Sequence, residues 1–114
     1  MSNLPLDQNL VFDTEMTLTA PFSGAAQFLG VLANEPVILL VKNQSNVAVF
    51  FADNSGSTKG TTMVPGEEFV LDCRGNTGKA VNMGFPVGTA FYATGLTGFA
   101  AATGGFKVSI LYAH

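Results

Sequence analysis

The chain has 114 residues, a length that suits one domain, and only 11% of them are charged, against about 25% in an average globular domain. Its five Lys and Arg residues are scattered singly and the net charge is −3, so the chain lacks the basic patch that nucleic acid binding requires. No apolar run approaches the ~20 residues of a membrane-spanning helix. We therefore expect neither a nucleic acid nor a membrane as partner.

Short apolar and β-branched runs recur along the chain between turns rich in Gly, Pro, Asn, Asp and Ser. This spacing predicts an all-β fold, an antiparallel β-sandwich or jelly roll of about seven to eight strands. In chain order the predicted strands are Leu10–Leu18, Gln27–Leu32, Pro36–Lys42, Asn46–Ala52, Glu67–Cys73, Thr89–Thr94 and Phe106–Ala113, with a weaker one near Val81–Met83.

We interpret the chain as a single domain in two parts. Residues 1–25, which Pro5 and Pro21 interrupt, form an N-terminal arm plus the first strand, and residues 26–114 form the β-sandwich core. In the first predicted strand, apolar and polar residues alternate, which indicates one covered and one exposed face. The residues expected to share the covered face are Leu10, Phe12, Thr14, Met16 and Leu18.

Two strongly apolar runs, Val37–Val41 and Val47–Phe51, are separated by the polar turn residues Lys42–Asn46, which predicts a hairpin at the centre of the domain. Both runs are apolar on both faces, so the second face must be covered by the opposite sheet with a loop, or by another subunit. Together with the low charge, this pattern predicts a homo-oligomer, with a trimer as the favoured form.

The stretch Gly95–Gly105 is apolar but too rich in glycine and small residues for a stable helix. It predicts a long, exposed and flexible loop before the last strand, either a contact loop or a connection lying over the open end of the sandwich. Its large apolar residues, Leu96 and Phe99, are candidate contact residues. Leu4 and Leu6, which lie outside any predicted strand, are candidate contacts in the N-terminal arm.

The sequence offers no set of residues typical of catalysis, so we expect a protein that is not an enzyme. The single histidine, His114, is the last residue, and the single cysteine, Cys73, has no histidine placed to activate it. We expect Cys73 to be a small buried or interfacial hydrophobe. One histidine and one cysteine cannot make a zinc site, and Asp53–Gly56 lacks the spacing of a calcium loop. No metal or cofactor is expected.

Two further motifs have ordinary explanations. Arg74–Ala80 is similar to a phosphate-binding loop but has two residues instead of four between its glycines, which predicts a turn. Asn43–Ser45 matches a glycosylation acceptor, a three-residue pattern that often occurs by chance. Tyr92 and Tyr112 are the only amphipathic rings that could form a carbohydrate platform, since the chain has no Trp.

Several sequence blocks resemble those of small virion proteins of tailed bacteriophages, and especially head decoration, or cement, proteins. These blocks lie within residues 36–113 and are Val41–Val47, Phe51–Gly56, Val64–Asp72 and Phe85–Ala93. The resemblance implies a compact β-sandwich or jelly roll, often trimeric, that sits outside the capsid and clamps neighbouring shell subunits.

The function that this resemblance implies is that of a non-enzymatic structural protein of the virion surface. Its partners would be copies of itself and the lattice of the major capsid protein, and it would be assembled in the host cytoplasm. No basic stretch followed by an apolar segment begins the chain, so we expect no secretory signal. The alternative interpretation is a small glycan-binding or protein-binding β-sandwich module.

Overall fold

The computed structural model of the chain describes residues 9–53, 60–73 and 85–113. In these ranges the chain forms nine β-strands and a short 3₁₀-helix, Phe99–Ala101. None of the described residues belongs to a helix long and apolar enough to span a membrane. The strands are β1 (Leu10–Phe12), β2 (Met16–Thr19), β3 (Gln27–Val31), β4 (Ile38–Asn43), β5 (Val49–Ala52), β6 (Thr61–Met63), β7 (Glu68–Asp72), β8 (Ala90–Gly95) and β9 (Gly105–Ala113).

The strands form two antiparallel sheets with jelly-roll connectivity. Sheet A has the order β1-β9-β4-β7, with β2 also paired to β9, and sheet B has the order β3-β8-β5-β6. The pairs β2 with β9, β3 with β8, β4 with β7 and β5 with β6 are nested inside one another, as in a long hairpin rolled up on itself. The predicted all-β antiparallel sandwich is confirmed, and its connectivity is that of the jelly roll.

The core lies between the two sheets and is built from residues that alternate along the strands. In β9, for example, Phe106, Val108 and Ile110 are buried and the residues between them are partly exposed. The ring of Phe51 in sheet B stacks on Phe91 of the same sheet at a centroid distance of 5.1 Å, and on Phe106 of sheet A at 5.6 Å. This aromatic stack joins the two sheets.

The predicted strand Leu10–Leu18 is two strands, and the prediction that its alternating residues share one face was wrong. Phe12 pairs with Leu111 and Met16 pairs with Val108. Between these two pairs the segment advances four positions while β9 advances three, so the segment contains one extra residue. The extra residue reverses the faces as a β-bulge does: Met16 is buried, whereas Phe12 is 72% exposed. The side-chain carboxylate of Asp13 accepts a 2.7 Å hydrogen bond from the Thr14 amide, which stabilises the break.

The predicted central hairpin was also wrong, because its two strands belong to different sheets. β4 pairs with β7 and β9 in sheet A, and β5 pairs with β6 and β8 in sheet B. The chain crosses between the sheets in residues 44–48. The buried side chain of Asn43 holds this crossover in place: its amide donates to the carbonyls of Val47 (2.9 Å) and Met63 (2.8 Å).

The predicted strands outside these two regions are confirmed within one or two residues at each end. The weaker strand near Val81–Met83 lies outside the described residues. β6 was not predicted. β6 escaped prediction because it has three residues, of which Thr61 and Thr62 are exposed and polar. The strands that match are β3, β7, β8 and β9.

Candidate contact surfaces

The stretch Gly95–Gly105, which we call the late loop, carries two predicted contact residues, Leu96 and Phe99. Both lie against the end of the sandwich. Phe99 is partly buried and packs on the core, where its backbone carbonyl accepts a hydrogen bond from the Phe22 amide at 3.2 Å. Leu96 is also partly buried, and its carbonyl accepts a 3.1 Å hydrogen bond from the Phe99 amide, so the two residues share one turn. The candidates of the N-terminal arm, Leu4 and Leu6, lie outside the described residues.

The loop packs closely enough that its start requires glycine. A Cβ added to Gly95 would lie 2.5 Å from the Cβ of Phe99 and 2.9 Å from that of Phe22. The Gly95 amide donates a 2.7 Å hydrogen bond to the Ser23 carbonyl, which ties the loop to the segment after β2. Phe99 therefore serves partly as core material, and Leu96 is the better probe of contact by this loop.

A larger apolar surface, which the sequence analysis did not identify, lies on the outer side of sheet A. We call it the A face, and it follows from strand register: Phe12 lies opposite Leu111, which lies opposite Ile38, while Leu40 lies opposite Val70. Phe12 is 72% exposed and Val70 is 64% exposed. The apolar residues of the A face are Leu10, Phe12, Ile38, Leu40, Val70 and Leu111.

Charges of both signs surround this apolar strip. Lys42 lies between Lys107 and Glu68 in the register of β9, β4 and β7, at one end of the face. Near the middle, the carboxylate of Glu15 accepts a 3.1 Å hydrogen bond from the Ser109 hydroxyl. An apolar centre with a charged and polar rim is the usual anatomy of an interface between separately folded partners.

A second apolar surface, the B face, lies on the outer side of sheet B. It comprises Phe28, Val31, Phe50 and Tyr92 together with small and hydroxyl-bearing neighbours. Phe28 lies opposite Tyr92, and their rings meet edge to face with centroids 5.7 Å apart. Phe28 is 56% exposed and Val31 is 50% exposed. The sequence predicted their strand correctly but did not reveal that these apolar side chains face the solvent.

The two faces differ sharply in charge. None of the residues of β3, β5, β6 and β8 is charged, so the described strands of sheet B carry no charge on either side. The charged residues within described strands, Lys42, Glu68, Asp72 and Lys107, all belong to sheet A. A count of charged residues along the chain could not reveal this segregation, because it depends on which strands share a sheet.

The side chains that could carry chemistry are not arranged as a reactive site in the part of the chain that the structure describes. Cys73 is buried in the core cluster, and this burial raises the pKa of its thiol, with a smaller contribution from the Asp72 carboxylate. A raised pKa disfavours the reactive thiolate. In the part of the chain that the structure describes, no three His, Cys, Asp or Glu side chains lie close enough to hold a metal ion. His114 lies outside the described residues.

The asparagine of the glycosylation-like triplet is committed to the fold. Asn43 is only 1% exposed, and besides the two hydrogen bonds that its amide donates, its carbonyl oxygen accepts from the Ser45 hydroxyl at 2.6 Å and the Ser45 amide at 3.0 Å. A sugar on this nitrogen would have to replace those bonds and enter the core. The triplet is therefore a structural element of the crossover.

Comparison with known protein families, with curated proteins and with solved structures found no match for this chain. No relative therefore indicates its partner. The features that bear on function are its own: a jelly roll with two solvent-facing apolar faces, one rimmed by charges and the other without a charged residue in its described strands.

Proposed function

We propose that this chain is a non-enzymatic capsid decoration protein of a tailed bacteriophage, which binds the assembled head as a homo-oligomer and stabilises it. The observation that carries the proposal is the A face. Phe12 and Val70, on the outer side of sheet A, expose 72% and 64% of their surface, far more than the side chains of the core do. Such a patch with a charged rim is typical of a surface that binds another protein.

The resemblance of four sequence blocks to head decoration proteins supports the capsid lattice as the partner. The jelly-roll connectivity fits the compact sandwich that this resemblance implies. The low content of charged residues, 11%, fits a protein whose surface is largely covered in its working state. The virion surface is accordingly the location that we propose.

A repetitive shell also explains how a modest patch could suffice. Burying one exposed Phe or Val side chain contributes about 1.5–3 kcal/mol, so a few such residues give weak binding for a single copy. An oligomer that engages several lattice positions at once multiplies the individual affinities through effective concentration. Binding should therefore be far tighter to assembled heads than to isolated shell subunits.

The test is sedimentation of the protein with phage heads that lack decoration. Phe12→Ser and Val70→Ser should each weaken binding by about tenfold, the equivalent of about 1.4 kcal/mol. Circular dichroism should show an intact β-rich fold, because both side chains are largely exposed. Deletion of residues 1–8 and, separately, Leu96→Ser test the N-terminal arm and the late loop in the same assay.

Thr97→Ser is the control for the loop variant, since Thr97 is exposed and the change is small. Binding as tight as that of the parent in both A-face variants would show that the A face does not touch the shell. Failure of the parent itself to bind heads would overturn the proposed function. If that parent bound immobilised glycans instead, the alternative of a glycan-binding module would replace it.

One observation favours that alternative specifically. The ring of Tyr92 is partly exposed beside Phe28, and together they form an aromatic surface of the kind on which sugar rings stack. The hydroxyl groups of Thr62 and Thr94 lie on the same side of the sheet, on either side of Phe50. A Tyr92→Ala variant that lost glycan binding would locate the sugar on this face.

A further inference from the structure

The segregation of charge between the sheets distinguishes two kinds of contact surface. An interface between subunits that never separate has a core depleted of charge and rich in aromatic residues, resembling a domain core cut in half. The B face has this composition: its strands contain no charged residue, and it presents Phe28, Phe50 and Tyr92. The A face, in contrast, has charged residues of both signs among its apolar ones.

We infer that the B face binds a second copy of this chain, while the A face remains free for the shell. This assignment deepens the proposed function and rests on it for the role of the A face. The copy-to-copy contact itself depends only on sheet B. It names Phe28, Val31, Phe50 and Tyr92 as the centre of the subunit interface.

Charge complementarity favours a second copy over an unrelated partner on the B face. Where the described strands of this face meet those of other copies around a two-fold or three-fold axis, no like charges are brought together. The A face would bring Lys42 and Lys107 of one copy near the same pair of another in some rotations, at an energetic cost. The uncharged face is thus the one suited to repeated self-association.

The geometry of the exposed side chains supports the same assignment. Val31 and Phe28 are about half exposed on β3, at the edge of sheet B, and Tyr92 and Phe50 continue the apolar surface towards the sheet centre. Four strands about 4.8 Å apart and about five residues long make a face of about 15 Å on each side. A face of this size covers about a quarter of the ~800 Å² per partner of a standard interface, so the contact must extend beyond the strands.

Matched charge insertions on the two faces test this inference. Val31→Glu and Phe28→Glu place a carboxylate on the B face, and Val70→Glu and Phe12→Glu make the same changes at comparably exposed positions of the A face. The mass of each variant is measured by light scattering at about 100 μM, a concentration at which an interface of standard size stays formed. Circular dichroism checks that each variant is folded.

We expect the parent and both A-face variants to have the mass of the oligomer and both B-face variants to have the mass of the monomer. A monomeric parent, unchanged mass in the B-face variants, or dissociation caused by the A-face variants would each overturn the assignment. If the B-face variants do not fold, Val31→Thr replaces them, with Val70→Thr as its control. The former should raise the dissociation constant several-fold in sedimentation equilibrium and the latter should leave it unchanged.

Failure of this inference is distinguishable from failure of the proposed function. If the B-face variants become monomers but the parent does not bind phage heads, the subunit interface stands and the shell partner is wrong. If the parent binds heads as a monomer, the decoration role stands and the inferred subunit interface is wrong. Mass and head binding are measured separately, so each result addresses one statement.

Discussion

The side-chain amide of Asn43, in sheet A, donates a 2.8 Å hydrogen bond to the backbone carbonyl of Met63, in sheet B. This bond joins the two layers of the sandwich directly, at the point where the chain crosses from one to the other. Both residues are fully buried, so water cannot replace the bond.

Replacing Asn43 by Ala should lower the free energy of unfolding by about 2–4 kcal/mol, because it removes the amide donor to the Met63 and Val47 carbonyls and the acceptor of the Ser45 amide from the core. The Ser45 hydroxyl keeps its 3.0 Å hydrogen bond to the Val47 carbonyl. Urea denaturation measures the loss. Gln44→Ala, at an exposed neighbouring position, should change the unfolding free energy by less than about 0.5 kcal/mol. Equal stabilities for the two variants would show that the network is dispensable.

Gly95→Ala should destabilise the fold by about 1–3 kcal/mol, because the added methyl group would overlap the Cβ atoms of Phe99 and Phe22. Thermal unfolding gives the comparison with the parent. Thr97→Ala, in the same loop but exposed, is the control and should leave the midpoint almost unchanged. A Gly95→Ala protein as stable as the parent would mean that the loop is not packed on the sandwich as described.

Cys73→Ser should leave binding to phage heads intact and reduce the free energy of unfolding by about 1–3 kcal/mol, since it puts a hydroxyl where a packed thiol lies. Chemical denaturation and head sedimentation on the same preparation separate the two effects. Lost binding at unchanged stability would assign a functional role to the thiol and contradict our interpretation.

The raised thiol pKa of Cys73 also predicts a dependence of stability on pH. Between the unfolded-state pKa of about 8.5 and the higher native value, the unfolded chain loses the proton first, so it binds fewer protons than the native protein. The contribution is fully present below the unfolded pKa and is lost as pH rises through this window. The free energy of unfolding of the parent should fall more between pH 8 and 10 than that of Cys73→Ala, and identical slopes would refute the prediction.

The mass of the parent protein in solution tests the oligomer that composition predicts. We expect a homo-oligomer at about 100 μM, and a trimer as the favoured form, because interfaces that cover apolar sheet faces survive this dilution. Light scattering coupled to size exclusion gives the mass independently of shape. A sharp monomer peak would count against both the trimer and a permanently covered sheet face.

The strand positions were largely predictable from the sequence, whereas their arrangement was not. Alternation and turn residues reveal local structure, and they located β3, β7, β8 and β9. The assignment of β4 and β5 to different sheets depends on bonds such as that from Asn43 to Met63, which are twenty residues apart in sequence. A polar turn between apolar runs looks the same whether the chain reverses within a sheet or crosses to the other.

The contact surfaces were less predictable for a related reason. The sequence does not distinguish an exposed Phe from a buried one. One extra residue between Phe12 and Met16 puts their side chains on opposite sides of sheet A. Leu96 and Phe99 were predicted as contact residues because they stand in an apolar loop. The larger faces around Phe12 and Phe28 come from strands that looked like ordinary core strands.

The nesting of strand pairs in the jelly roll has a consequence for how the protein is made. β9, the last of the described strands in chain order, lies inside sheet A, with β1 and β2 on one side and β4 on the other. Until it is synthesised, β2 lacks the only strand that pairs with it among the described residues, because Thr17 pairs with Lys107, ninety residues later. Contacts so distant in sequence slow folding to the range of about milliseconds to seconds. Sheet A can therefore close only after β9 has been synthesised, and the apolar strands that pair with it are exposed to aggregation until then.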